Sequence, residues 1–386
     1  MVKQWCFSQL DTWFFKEARP FDSVGATQLG TILLPPSART VAGAIRTLIG
    51  ENQGINWKEF NKNHKLASEI GYSDDLGKLQ LTGPYLLYRE QNKNQLERLY
   101  PVPLNILKGK IKSNLKSKKT GKKEEIEKFV NLIPGELVEC DLGTVRLPEK
   151  SEELKGAKPV EDAWLNQVDF ERVLSGKFPE NIIYNKELFT IENRVGIALD
   201  TNTRITKEHH LYQNQHIRIH PNINLNVGMQ VDGIKEQYHP NSGDLINFGG
   251  EGRLAEVLID EKNSQMKTPV LKDEKHIFLT LLTAADLGNS WLPNENFKKD
   301  EGFWKGEIKG VKLKIVSAVL GKSIREGGWD LVKGQSRPVI SLVPAGSVWF
   351  CEVISGDPTK LHGKKIGKNT ALGRGKLAVG KWENKI

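Results

Sequence analysis

The chain has 386 residues, enough for two domains with separate cores, and its 38% hydrophobic and 27% charged content excludes a disordered polymer. Its formal net charge of +9 is concentrated: residues 108–123 hold eight lysines and no acid, and residues 360–386 carry a net +7. Charge so localised suits a polyanion followed along one path better than a uniform coating.

In chain order, residues 5–15 are aromatic-rich (Trp5, Phe7, Trp13, Phe14, Phe15) and predict a first strand. A polar turn region with Arg19, Pro20 and Phe21 follows. Pro35-Pro36-Ser37 ends extended chain, and Ser37 is placed to N-cap a helix running to about residue 49 and stopped by Gly50. Val41, Ala44, Ile45, Leu48 and Ile49 repeat at helical spacing and mark its buried face. Arg39 and Arg46, seven apart with Gly43 between them, then share the opposite face. A solvated helix face is the plain alternative. Gly43 favours an approaching RNA backbone, which the two guanidinium forks could grip through its phosphates.

Strands are predicted over 76–89, 132–140 and 144–147. The lysine run at 108–123 reads as a mobile surface loop, and 151–174 as partly helical. Further strands are expected at 194–199, 216–220, 228–233, 254–259, 277–282 and 311–320. Residues 339–341 and 347–354 look like a pair joined by Pro344-Ala345-Gly346. Short strands with few helices, met twice along the chain, predict an α+β fold of two domains, residues 1–180 and 181–386. The β-α-β-β-α-β unit fits the first.

Cys6, Cys140 and Cys351 form no Cys-x-x-Cys, which disfavours a zinc ribbon or a disulfide framework and fits a reducing cytoplasm. The N-terminus lacks a signal peptide's layout, and the apolar stretch 339–354 is broken by Pro344 and Gly346, so a cytoplasmic protein without membrane contact is expected. No carboxylate pair suits acid–base work: Asp74-Asp75, Glu124-Glu125 and Glu152-Glu153 look like surface acids. Gly321-Lys322-Ser323 lacks the upstream glycine of a phosphate-binding P-loop. No metal and no cofactor is called for. His209, His210, His216 and His220 form a cluster that could hold acid–base chemistry, line a sheet edge, or, with Arg204, Tyr212 and Arg218, cradle unpaired bases.

Near the end, Ile366-Gly367-Lys368-Asn369-Thr370-Ala371-Leu372-Gly373-Arg374-Gly375, followed by Lys376, places an apolar residue and a glycine five residues before Gly-x-Gly. Such a loop can present successive backbone amides to an anion. The alternative is a tight turn.

This pattern resembles the glycine-rich loop of the RAMP superfamily of CRISPR proteins. More narrowly, residues 10–15 with Arg19-Pro20-Phe21, Pro35-Pro36-Ser37, Arg194–Leu199, Gly249-Gly250-Glu251-Gly252-Arg253 and Val343–Val348 together resemble the third subunit of the type III-B (Cmr) effector complex. The resemblance implies two ferredoxin-like (RRM-like) domains and a non-catalytic subunit. Its implied partners are the 5′ tag of the CRISPR RNA, the large polymerase/cyclase-type subunit and the first backbone RAMP subunit. The readings of the residues and the resemblance together give a candidate RNA-contacting set of Arg19, Phe21, Arg39, Gly43, Arg46, Arg204, His210, Tyr212, Arg218, Gly367, Lys368, Gly373, Arg374, Gly375 and Lys376. A metal-independent endoribonuclease of the same superfamily, using the histidines, is the alternative activity.

Overall fold

In a computed structural model, the chain is an α+β protein made mostly of strands with few helices. The structure describes residues 2–18, 32–89, 95–116, 123–141, 143–199, 203, 205–260, 266–271, 274–330 and 332–383.

The expected early helix forms over Ala38–Asn52. Ser37 caps it, its hydroxyl accepting from the Thr40 amide at 3.1 Å. Gly50 does not end the helix. It lies inside it, and a Cβ there would sit 2.3 Å from the Trp57 ring, so the glycine makes room for that indole. The helix lays Val41, Ile45, Leu48 and Ile49 on an antiparallel eight-stranded sheet. Across that sheet the order is Asp244–Asn247, Leu254–Asp260, Lys3–Gln9, Asn224–Asp232, Gln80–Arg89, Glu97–Pro101, Ala163–Leu165 and Ile183–Tyr184. Trp5 and Phe7 alternate with Gln4 and Cys6, so one face of the first strand supplies the core and the other a buried polar layer.

A second, six-stranded antiparallel sheet runs Lys298–Asp300, Phe303–Ile308, Val311–Val319, Val348–Ser355, His276–Leu281 and Leu377–Lys381. Both its faces are covered. Phe278, Phe350 and Ala378 pack with Phe170 and Val173 of the helix Gln167–Leu174, while Ile277, Leu279, Trp349 and Leu377 fill a separate core behind. The division between the two main sheets therefore falls between Asp260 and His276. Asn224–Asp232 and Leu254–Asp260 both pair with the first strand, which no local pattern announces.

Two other expectations change. The lysine run is not simply a loop: strands Ile106–Lys116 and Lys123–Cys140 pair from either side of it, and residues 117–122 lie outside the described ones. Ile340–Leu342 does not pair with Val348–Ser355 across Pro344. It pairs with Ile324–Glu326, while Val348–Ser355 joins the second sheet.

The cap gives the fold a simple test. Ser37→Ala should lower unfolding free energy by about 1 kcal/mol in urea titration, with no change in strand content by circular dichroism.

Candidate nucleic-acid interface

Three elements meet beside the exposed end of the long helix. Asp74 follows the short turn after the helix Ala67–Ile70, and it receives both Arg39, at 3.0 Å, and Arg337. Arg39 also faces Glu326 at 3.5 Å, and Arg337 faces Asp330 at 3.2 Å. Arg46 donates to the carbonyls of Gly71 at 2.9 Å and Ser73 at 3.0 Å. Burial, helped by the neighbouring charges of Arg337 and Arg39, pushes its pKa down. Gly43 lies exposed between the two helix arginines with open space where a Cβ would stand. Asp74 is therefore not an idle surface acid but the hub that sets two guanidiniums.

Arg337, Trp329 and Arg325 were not singled out from the sequence. They come from the segment 324–337, whose strand pairs Ile324–Glu326/Ile340–Leu342 and Trp329–Asp330/Gln335–Ser336 lay it against the helix. Gly328 comes within 4.0 Å of the Arg39 side chain, measured from an ideal Cβ. Trp329 is 58% exposed, unusual for so large a ring. Gly327-Gly328-Trp329 with Arg337 nearby was the available signal, since glycines beside an aromatic mark a strand-poor surface turn.

The glycine loop divides into two arms. Gly367, Lys368 and Asn369 are exposed, whereas Gly373, Arg374 and Gly375 are buried. Its positive-φ glycines are needed for contact with the protein itself. A Cβ on Gly373 would fall 2.4 Å from the Gly83 carbonyl oxygen, and one on Gly375 2.0 Å from that of Ile366. The amides of Lys368, Gly373 and Gly375 donate to the carbonyls of Asp286, Thr370 and Ala284. Those groups, the Lys368 amide of the exposed arm among them, are committed internally, which interrupts the continuous amide cradle expected from the sequence.

Arg374 is placed differently from the expectation. It is 1% exposed and bonded to Glu326, with Asp286 at 3.6 Å, too long for a hydrogen bond. Burial and the Arg39 charge push its pKa down to about 10. As placed, this guanidinium locks the loop to the 324–337 segment and presents nothing to solvent. Lys376 also turns inward, lying 5.7 Å from the Tyr85 ring centroid.

The remaining predicted residues lie elsewhere. Arg19, Phe21 and Arg204 fall outside the described residues. Just before the first of these, the Ala18 amide donates to the Arg325 carbonyl at 3.1 Å, so the chain enters that segment beside the arginine face. His210 and Tyr212 lie in strand Thr206–Ile219, their side chains outside the described ones. Arg218 joins Arg194 and Arg253 around Asp11, at 3.2, 3.3 and 3.0 Å, with Glu192 bonded to Arg194 and Arg218. The arginines hold Glu192 down to about 2. Three motifs distant in sequence thus converge on one charge cluster, apart from the glycine loop. His216 is 2% exposed, paired with the Thr12 hydroxyl at 3.0 Å and covered by Phe14. Burial and Arg194 with Arg253 lower its pKa. It is closed off from any substrate hydroxyl, and His220 is tied separately to the Lys186 carbonyl. Among the described residues no three metal-ligating side chains gather, and no helix is long and apolar enough to cross a membrane.

A sequence profile described as "CRISPR-associated protein (Cas_Cmr3)" matches residues 6–382. The chain belongs to the Cas_Cmr3 family. It is 34% identical over 214 residues to the CRISPR system CMR subunit Cmr3 of Saccharolobus solfataricus (strain P2), a match spanning 52% of this chain and 60% of that relative. The solved structures similar to it include a chain of the type III-B Cmr-beta complex bound to cognate target RNA. That chain has a TM-score of 0.46 and 15% identity, with 90% of this chain and 86% of the other covered. A second, from the same complex with target RNA and AMPPnP, has a TM-score of 0.45 and 14% identity, with the same coverage. The Cas_Cmr3 match runs through both main sheets, the arginine face and the glycine loop.

The buried pair at the loop is open to test. Glu326→Ala removes the hydrogen-bonded partner of the buried Arg374 and leaves it only the longer Asp286 contact, and should cost about 3 kcal/mol in urea unfolding. Pairing Glu326→Leu with Arg374→Met should return most of that loss.

Proposed function

We propose that this chain is a non-catalytic subunit of a type III-B (Cmr) effector complex that grips the 5′ tag of the CRISPR RNA. The family match over residues 6–382 carries this reading, because it supplies the CRISPR setting for a surface that offers cations, glycine gaps and an exposed indole. We place the RNA along the exposed helix stretch at Gly43, between Arg39 and Arg46, and against the loop arm Gly367–Asn369. Trp329 provides a stacking platform for an unpaired base. Gly373, Arg374 and Gly375 serve by holding that arm in position. Arg19 and Phe21 stay in the proposal as tag contacts on the strength of the family resemblance, and Arg204, His210, Tyr212 and Arg218 as residues suited to cradle and stack on unpaired bases.

In this reading each main sheet belongs to one ferredoxin-like unit, and the chain bridges the large polymerase/cyclase-type subunit to the first backbone RAMP subunit. The paired strands Phe189–Leu199 and Thr206–Ile219 support a docking role, since Val195 and Ile205 on them and beside them are 66% and 67% exposed. The enclosure of His216 supports binding without cleavage.

Fluorescence anisotropy of a 5′-tag oligoribonucleotide on the full chain is the deciding measurement. Affinity should fall steeply with salt, as expected for phosphate neutralisation. Trp329→Ala should weaken binding roughly 5- to 30-fold by removing a stacked base. Lys368→Glu should weaken it and flatten the salt slope by about one to two counterions. Unchanged affinity and slope in both variants would remove this face from the RNA path.

A further inference from the structure

A cavity of about 480 Å³ lies on the opposite side of the first sheet from the long helix, where that sheet meets the chain flanking the glycine loop. Its wall from the first sheet carries Arg98, Gln80 and Thr82, and its wall from the C-terminal segment carries His362, Lys365 and Lys376. Three cations thus line one half-open cleft. Arg98 is 3% exposed, its guanidinium stacked 3.8 Å over the Tyr85 ring centroid, and its Nε has no hydrogen-bond partner.

His362 adds a defined donor. Its Nδ1 accepts from the Val379 amide at 3.3 Å, which leaves the proton on Nε2, and that buried nitrogen also lacks a partner. Lys365 donates to the carbonyls of Leu81 and Thr370, an arrangement that aims its ammonium without neutralising it. Asp232 also lines the cavity, with one oxygen taken by the Gly233 amide at 2.8 Å. Among the described residues no ion pair joins a carboxylate to Arg98, Lys365 or Lys376.

Buried cations left without counterions are costly, and such a cluster is what an anion site looks like when empty. We propose that this cavity binds the phosphate of a nucleotide-sized ligand, gripped by Arg98, Lys365, Lys376 and the His362 Nε2–H, with Gln80 and Thr82 meeting its polar body. A volume of about 480 Å³ is within the range of small-ligand sites. The site is separate from the arginine face beside the long helix, so it stands or falls independently of tag binding there.

The charges that face Lys376 here are Arg98, Lys365 and Asp232, with neutral Tyr85 and His362 beside them. Burial, with Arg98 as a second cause, pushes Lys376 down to about 8; burial, with Lys376 as a second cause, does the same to Lys365, and His362 falls to about 4. A bound dianion draws both lysines back to full protonation. Binding must therefore take up protons near pH 8 and above, and weaken by about tenfold per pH unit for each lysine as pH rises past 8.

Calorimetric titration of the purified full chain with ADP and with pyrophosphate, at fixed ionic strength with adenosine as control, tests this. Saturable binding is expected for both phosphates and none for adenosine, with proton uptake revealed by repeating the titration at pH 8.5 in buffers of different ionisation enthalpy. Lys376→Gln should weaken binding at least tenfold while leaving the protein folded. Lys365→Gln provides a second variant should the first unfold. A 5′-phosphorylated oligoribonucleotide, compared with its 5′-hydroxyl form, tells a free nucleotide from an RNA end as the source of the phosphate. No saturable heat with either phosphate, or equal binding by the parent and both lysine variants, would overturn the proposal.

Discussion

The contact between Arg374 and Glu326 joins three parts of the chain that the sequence keeps far apart. One end sits in the glycine loop, the other in the 324–337 segment, and Glu326 also faces Arg39 on the long helix. Both partners are almost fully buried, so the pair gives specificity of arrangement more than net stability. It acts with the Arg39–Asp74–Arg337 bridges and the Lys368 amide bond to Asp286 to set the exposed loop arm and the exposed indole relative to the helix. The glycines work to the same end, because Gly373 lets the loop lie directly on the backbone of the central strand Gln80–Arg89 at Gly83.

This arrangement divides the basic residues by job. Arg374 and Lys376 belong to the tail segment whose charge stands out in composition, yet both face inward, toward opposite sides of the first sheet. Arg39 and Arg46 are partly exposed, and each is oriented by a partner: a carboxylate for one, backbone carbonyls for the other. A guanidinium fixed in this way keeps donors free on its outer edge and loses little freedom on meeting a phosphate. Charge counted along a sequence locates such a face without saying which cations reach it.

Much of the local structure is legible in the residues alone. The helix after Ser37, the strands near 254–260, 276–281 and 311–319, and the strand-dominated α+β class follow from capping, periodicity and β-branched runs. What escapes is governed by long-range pairing. Asn224–Asp232 looks like any half-buried strand, and only its partners Lys3–Gln9 and Gln80–Arg89 assign it to the first sheet. Arg374 escapes for a related reason: a cation in a glycine-rich loop reads as solvent-facing until Glu326, 48 residues earlier, is brought beneath it. Asp74 is a surface acid as it reads, but its role as a hub escapes for the same cause, since both of its arginines come from elsewhere in the chain.

The placement of Lys3–Gln9 has a consequence for how the protein is made. This strand lies between Asn224–Asp232 and Leu254–Asp260, with no sheet neighbour from the preceding two hundred or so residues. During synthesis, its Trp5 and Phe7 must wait for chain that emerges much later. Non-local pairing of this kind slows folding and leaves apolar edges open to wrong partners. The long helix can cover Gln80–Arg89 early, but the first strand cannot be sheltered until residue 260 has left the ribosome.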